Sequence, residues 1–253
     1  MTLNKNKISL IVCDIEGCIS PGKGRPLDLA PLAQIEKHNQ LAQKGEAIPL
    51  VLCSGRPQPF IEAFAQMLAV TLPCICENGA FLYDMGKDKF IRHPHITNEH
   101  IQNLKKLKNL LECEVQSKVP HKIEPGKEIC LSLNPITEPK YYSPKIKELF
   151  EQVSRYVDPD LFFITHSASA VDITPKGIDK AAGLHFLSEI MDIPIKEMLG
   201  IGDTAGDLPF LRIAGCSAAP SNATEVVCRE VNYVSSQPHA YGVFDIISKI
   251  NNS

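Results

Sequence analysis

Apolar residues run along this chain in two rhythms. Residues Ile8 to Asp14 form an apolar run that stops at a charge, and Ile48 to Cys53 form a second that stops at Ser-Gly-Arg. Runs of this kind, without polar alternation, predict strands buried on both faces, as in a parallel sheet. Between them Leu29, Leu32, Ile35 and Leu41 recur at helical spacing behind Asp28, which can cap a helix reaching to about Lys44. A helix over 58–68 and a strand over 74–76 follow. The order β-α-β-α-β predicts a doubly wound α/β sheet.

The rhythm changes after Tyr83. A turn-rich stretch, Asp84-Met-Gly-Lys-Asp, leads to a predicted helix over 98–112, a strand over 128–133 and a helix over 143–156. Two short strands, 161–165 and 170–174, come next. The first rhythm then returns. Asp179 opens a helix to about Ile190, a strand over 198–202 ends at Asp203, and a helix follows Asp207. Two more short strands and a last helix finish the chain. The expected architecture is a discontinuous Rossmann-like core, 1–84 and 176–253, carrying an inserted α+β cap at 85–175.

Composition narrows the function classes. With 44% hydrophobic and 22% charged residues in 253, the chain reads as an ordinary globular protein with room for a sizeable core. A net charge of -3 and the lack of any basic stripe speak against nucleic-acid binding. No stretch approaches transmembrane length, and the N-terminus lacks a signal-peptide pattern, so a cytoplasmic protein without membrane association is expected. The nine cysteines form no C-x-x-C pair, and several lie in apolar runs. They read as buried free thiols in a reducing compartment.

In open α/β sheets ligands gather beyond the carboxyl ends of the strands. There the chain places Asp14 and Glu16, then Ser54, Gly55 and Arg56, then Asp203 and Asp207, with Lys180 just inside the preceding helix. Several acids in one crevice repel one another unless a cation is present, and a hard dication with oxygen ligands, Mg²⁺, suits them. Asp14 could then act as a nucleophile, Ser54 as a hydroxyl donor and Lys180 as a counter-charge to phosphoryl oxygens. Glu16 could protonate a leaving oxygen and later activate water.

These segments carry a resemblance. VCDIEGC, LCSGRP, Lys180 and GIGDTAGDLPFL stand in the order and spacing of the four motifs of the haloacid dehalogenase-like phosphatases. CENGAFLYD resembles the segment before the cap in their Cof-like branch, which carries a type II (IIB) cap. The resemblance implies a Mg²⁺-dependent phosphatase with an aspartyl-phosphate intermediate on Asp14, acting on a small phosphorylated metabolite such as a sugar phosphate or phosphoglycolate. It implies Asp14, the Glu16 carbonyl and Asp203 as metal ligands, with Asp207 supporting them. Ser54, Gly55, Arg56, Lys180 and Asn78 would bind phosphate or substrate. Three positions depart from the family pattern: Glu16 stands where Asp is usual, Cys18 where Thr is usual and Gly206 where Asn is usual. They keep open a weakly active phosphate-ligand-binding protein as an alternative, and a phosphomutase, which shares the aspartyl-phosphate step, is a third.

Plainer readings stand beside these. Asp207 can cap the helix that follows it, and Asn78 can stabilise a turn. Lys176, His93 and His95 are expected at the surface. Gly22-Lys23-Gly24 lacks the ending of a phosphate-binding loop. In the cap, Lys118, His121, Lys122 and His166 are candidate substrate contacts.

Overall fold

The computed structural model describes residues 8–138, 142–166 and 170–251. The chain divides into two compact units. One takes the described residues up to Ile91 together with those from Asp179 onward; the other is Arg92–Ile178.

The first unit begins with β1 (Leu10–Cys13), α1 (Leu29–Gln43), β2 (Leu50–Leu52), α2 (Gln58–Met67), β3 (Cys74–Cys76), β4 (Phe81–Asp84) and β5 (Lys89–Arg92). The inserted unit holds α3 (Asn98–Glu114), β6 (His121–Ile123), β7 (Leu131–Pro135), α4 (Tyr142–Val153), β8 (Phe162–His166) and β9 (Val171–Pro175). The first unit resumes with α5 (Lys180–Met191), β10 (Met198–Ile201), α6 (Leu208–Ile213), β11 (Cys216–Ala219), α7 (Glu225–Glu230), β12 (Tyr233–Val234) and α8 (His239–Asn251).

The main sheet has the order β12-β11-β10-β1-β2 and every pairing in it is parallel. All four residues of β1 are buried, as a strand covered on both faces requires. The chain builds outward from β1 to β2 on one side, and from β10 to β11 and β12 on the other. The sheet therefore reverses direction between β1 and β10, where doubly wound sheets open a crevice for ligands. Beyond β2 a parallel bridge joins Cys53 to Ile75 and leads to a three-stranded set, β3-β4-β5, in which β3 and β4 are antiparallel. β5 keeps the chain in the first unit past the expected boundary at residue 84, because the turn at Met85–Lys87 folds it back beside β4.

The inserted unit is a four-stranded antiparallel sheet, β6-β7-β9-β8. Leu131, Leu133, Val171 and Ile173 from its strands pack with Leu107 and Leu111 of α3 and Leu149 of α4 into one apolar cluster.

Several local expectations shift. Leu29 is 66% exposed, and the buried stripe of α1 is Pro31, Leu32, Ile35, His38 and Asn39. His93 is buried, not a surface residue, and takes the His95 N–H on its Nδ1 at 3.2 Å. β6 was not foreseen; its three residues are too few to show a period. None of the described helices is long and apolar enough to cross a membrane.

Candidate active site

The end of β1 fixes Asp14. Its N–H donates to the Ile201 carbonyl at 2.9 Å, while the Cys53 N–H donates to the Cys13 carbonyl at 2.8 Å. Asp14 thus stands at the head of the central strand between its two neighbours. The next residues turn tightly: the Gly17 N–H reaches the Ser20 carbonyl at 2.6 Å and the Ser20 N–H reaches that of Ile15 at 2.7 Å. Gly17 has φ +87°, and a Cβ there would lie 1.9 Å from Asp203 Oδ2. Only glycine lets the loop press against that carboxylate.

The same logic places Lys180. Asp179 caps α5 by accepting the Ala182 N–H at 2.8 Å. A Cβ on Gly79 would meet the Asp179 carbonyl at 2.4 Å. The Glu77-Asn78-Gly79 segment therefore packs against the first turn of α5, with positive φ at all three residues. Asn78 donates its N–H to the Ser54 carbonyl at 3.1 Å, and its side-chain amide lies against Gly55. Asn78 thereby braces the Ser54–Gly55–Arg56 turn.

Lys180 Nζ donates to Asp14 Oδ1 at 2.6 Å and to Asp207 Oδ1 at 2.5 Å. All three side chains are buried. Burial alone would lower the Lys180 ammonium, but the two carboxylates overcome it and hold the pKa well above its usual value. Asp207 is fully committed. Its other oxygen accepts the N–H groups of Asp203 at 3.0 Å and Thr204 at 2.9 Å, and the Thr204 hydroxyl at 3.2 Å. Both oxygens of Asp207 thus serve the lysine and the turn after β10, which suits a residue that supports the metal site from behind Asp14 and Asp203.

Asp203 differs. Its carbonyl is held by the Thr224 N–H at 2.8 Å and hydroxyl at 3.2 Å, but its side-chain Oδ1 is buried without a hydrogen-bond partner. Burial, with repulsion from Asp207, raises its carboxyl to about 7. Burial likewise raises Asp14, against the pull of Lys180. Ligand atoms of Asp14, Cys18 and Asp203 lie within 4.8 Å of one another. An orphaned carboxylate oxygen beside a second buried carboxylate is what a hard divalent cation would satisfy, so these residues fit a magnesium ion.

Ser54 sits where β2 leads toward β3, and its Oγ accepts the Arg56 N–H at 3.3 Å. The Arg56 guanidinium turns toward Glu16. It grips Glu16, with Nε donating to Oε2 at 2.8 Å and Nη2 to Oε1, and it lies 4.6 Å from the Phe60 ring centroid. Both oxygens of the expected acid/base are thus engaged by one arginine.

Three contributors escaped the sequence reading. Asn222 Nδ2 and His239 Nδ1 each donate to the Gly17 carbonyl at 2.9 Å, and Thr224 straps Asp203. Asn222 and Thr224 follow β11, so the rule of polar residues at strand ends, applied to that strand too, would have found them. In the inserted unit, His121 is buried with Nδ1 on the Val119 carbonyl at 2.8 Å, and Lys118 reaches the Tyr156 hydroxyl at 3.5 Å. Lys122 and His166 lie on β6 and β8. Lys176 pairs loosely with Asp160 at 4.0 Å.

The model of the haloacid dehalogenase-like hydrolases matches residues 11–118 and 115–247 of this chain. A phosphoglycolate phosphatase of Staphylothermus marinus is 24% identical over 247 residues, 96% of this chain and 98% of that protein. Another, of Methanospirillum hungatei, is 28% identical over 238 residues, 94% of each chain. The crystal structure of a haloacid dehalogenase-like hydrolase from Bacteroides thetaiotaomicron has the same fold, with a TM-score of 0.70 at 19% identity, covering 96% of this chain and 100% of that one.

Proposed function

The chain belongs to the haloacid dehalogenase-like hydrolases, and from that membership we propose that it is a Mg²⁺-dependent phosphomonoesterase using Asp14 as its nucleophile. One observation carries the reading. At the reversal point of the sheet, Lys180 bridges Asp14 and Asp207 while Asp203 offers an unpartnered carboxylate oxygen.

With Oδ1 held by Lys180, Asp14 presents Oδ2 to phosphorus. The Asp14 oxygen forms a bond to phosphorus as the ester oxygen leaves, and Glu16 protonates the departing alcohol. A water deprotonated by Glu16 then attacks phosphorus, releases inorganic phosphate and restores Asp14. The Ser54 hydroxyl and the N–H groups of the Gly55–Arg56 turn receive phosphoryl oxygens, with Lys180 offsetting their charge. Magnesium held by Asp14 and Asp203 would add positive charge at the same oxygens.

Arg56 bears on the one unusual member. Glutamate is a methylene longer than aspartate, and a two-point grip restricts where its carboxyl can go. The same grip is what favours the alternative, a phosphate-ligand-binding protein, if the arginine never releases the carboxylate. The inserted unit is assigned the role of a cap that selects the substrate. The substrate is a small phosphorylated metabolite, and the names of the relatives put phosphoglycolate first on a panel that includes sugar phosphates.

Phosphate release from that panel, and from an aryl phosphate, is the test. Activity should need Mg²⁺, vanish with chelator and vanish in Asp14→Asn. Glu16→Gln should lower kcat by about 10²-fold or more if Glu16 is the acid/base. Unchanged kcat in Glu16→Gln, or no turnover of any phosphate by the wild type, would favour the binding protein.

A further inference from the structure

We propose that the crevice binds a thiophilic divalent ion, zinc or cadmium, through the Cys18 sulfur together with the carboxylates of Asp14 and Asp203. The idea shares the crevice of the phosphatase reading but needs no phosphoryl chemistry. Three observations converge on it. The donor atoms of Asp14, Cys18 and Asp203 lie within 4.8 Å of one another, and all three residues are buried. Donors on one tetrahedral ion stand about 3.5 Å apart, given metal–ligand bonds near 2.0–2.3 Å, so a modest contraction would close the set. Asp203, a member of that cluster, has its Oδ1 buried without a partner.

The third observation is that the loop carrying Cys18 is fixed in place. The residue before it presses on Asp203, where a Cβ would stand 1.9 Å from Oδ2. The Gly17 carbonyl is clamped by Asn222 and His239, each at 2.9 Å. The clamp and the turn closed by the Gly17–Ser20 hydrogen bond hold the backbone that carries Cys18 beside the carboxylates. Such preorganisation is what a ligand set requires.

Ligand softness then separates the ions. Magnesium prefers oxygen and would use the carboxylates alone. Zinc and cadmium favour thiolate, and zinc exceeds magnesium at mixed sulfur–oxygen sites. A serine or threonine at position 18 would offer only a hard hydroxyl, so the cysteine changes which ions the crevice retains. Such an ion competes with magnesium for Asp14 and Asp203.

The experiment uses a variant in which Cys113, Cys216 and Cys228, the thiols not fully buried, are serine. Metal-free protein is titrated with Cd²⁺, following the ultraviolet sulfur-to-cadmium charge-transfer band. One equivalent of band is expected, lost in Cys18→Ser with at least a tenfold drop in affinity, and weakened in affinity by Asp203→Asn. As a measurement independent of variant folding, X-ray absorption on the Zn²⁺-loaded protein should show one sulfur in the shell. An oxygen- and nitrogen-only shell, or a full band in a folded Cys18→Ser protein, overturns the proposal. Sulfur ligation without Mg²⁺-dependent turnover would sink only the phosphatase reading; turnover with a sulfur-free zinc shell would sink only this one.

Discussion

In the first unit the buried charges stand beyond the carboxyl ends of parallel strands, whereas in the inserted unit a loop lysine reaches two facing residues of an antiparallel sheet. Lys180, Asp14 and Asp207 are brought together from α5, the end of β1 and the turn after β10. The inserted unit has its own buried ammonium, Lys127, whose side chain is 4% exposed. It donates to Ser132 Oγ, which donates to Asp172, and the Lys127–Asp172 ion pair spans 3.9 Å. Ser132 and Asp172 face each other in the β7–β9 register. In that trio every group has a partner, and Asp172 keeps some contact with water. At the strand ends the account does not close, because Asp203 Oδ1 has none. The inserted unit has an orphan of its own, His121 Nε2, but it is a ring nitrogen outside that trio; an unpartnered carboxylate oxygen beside a second buried carboxylate is the one that calls for a cation.

Removing each lysine tests this contrast. Lys180→Met leaves two buried carboxylates facing each other, so it should destabilise the metal-free protein by about 3–5 kcal/mol. Phosphatase turnover should fall by about 10²–10³-fold, the loss typical of one charge-stabilising donor. Adding Asp207→Asn should recover part of the stability and none of the turnover. Denaturant unfolding and kinetics on the same preparations check both. Full activity in Lys180→Met would remove the contrast at its root.

Asp203 gives the next largest effect, through pH. Its carboxyl rises from 3.8 to about 7 in the folded chain. Between those values the folded state binds more protons than the unfolded one. The stability of metal-free protein should therefore fall as pH rises through about 4 to 7. Mg²⁺ relieves the repulsion, so the gain in Tm on adding it should grow across the same window. Asp203→Asn should shrink both trends, leaving the share of Asp14, which burial also raises. A gain in Tm that is independent of pH would mean that the ion binds elsewhere.

Much of the first unit was legible because its chemistry interrupts an apolar run. Asp14, Ser54 and Asp203 each follow a strand with no polar alternation, and the parallel register sets them side by side. The grip of Arg56 on Glu16 was not legible, since nothing in either motif says that the arginine turns inward across 40 positions. Ser132 and Asp172 are hidden for the same reason, as their partnership exists only once β7 and β9 pair. Leu29 misled because it fits the helical period, yet α1 rotates its stripe toward Leu32, Ile35 and His38.

The inserted unit should respond less. Lys127→Met keeps the length of the side chain and leaves Ser132 and Asp172 bonded to each other. With Asp172 at 25% side-chain exposure, water can compensate part of the loss. A cost of about 1–3 kcal/mol is expected. The Mg²⁺ concentration for half-maximal activity should stay where it is in the wild type. A shift in it without loss of folding would join the two networks and undo the division drawn between them.

The smallest effect belongs to His38, a buried polar group in the first unit that lies outside the crevice. Its Nε2 is 2.7 Å from the Ile48 carbonyl, which puts the ring proton on that nitrogen. Burial lowers its pKa from 6.5, with the Ile48 bond acting in the opposite direction. The unfolded chain therefore takes up this proton first as the solution is acidified. The His38 contribution is complete above about pH 6.5 and is lost as pH falls through the lower folded value. That is the reverse of Asp203, which costs stability as pH rises. His38→Gln, which can still donate to the carbonyl, should remove the acid-side loss while leaving the Asp203 limb and its Mg²⁺ response intact. Unfolding free energies of the two proteins at pH 5 to 7.5 decide it. Parallel curves would show that His38 does not titrate in this range, and a changed Mg²⁺ response would show that a fully partnered histidine outside the crevice is nonetheless coupled to the incomplete site.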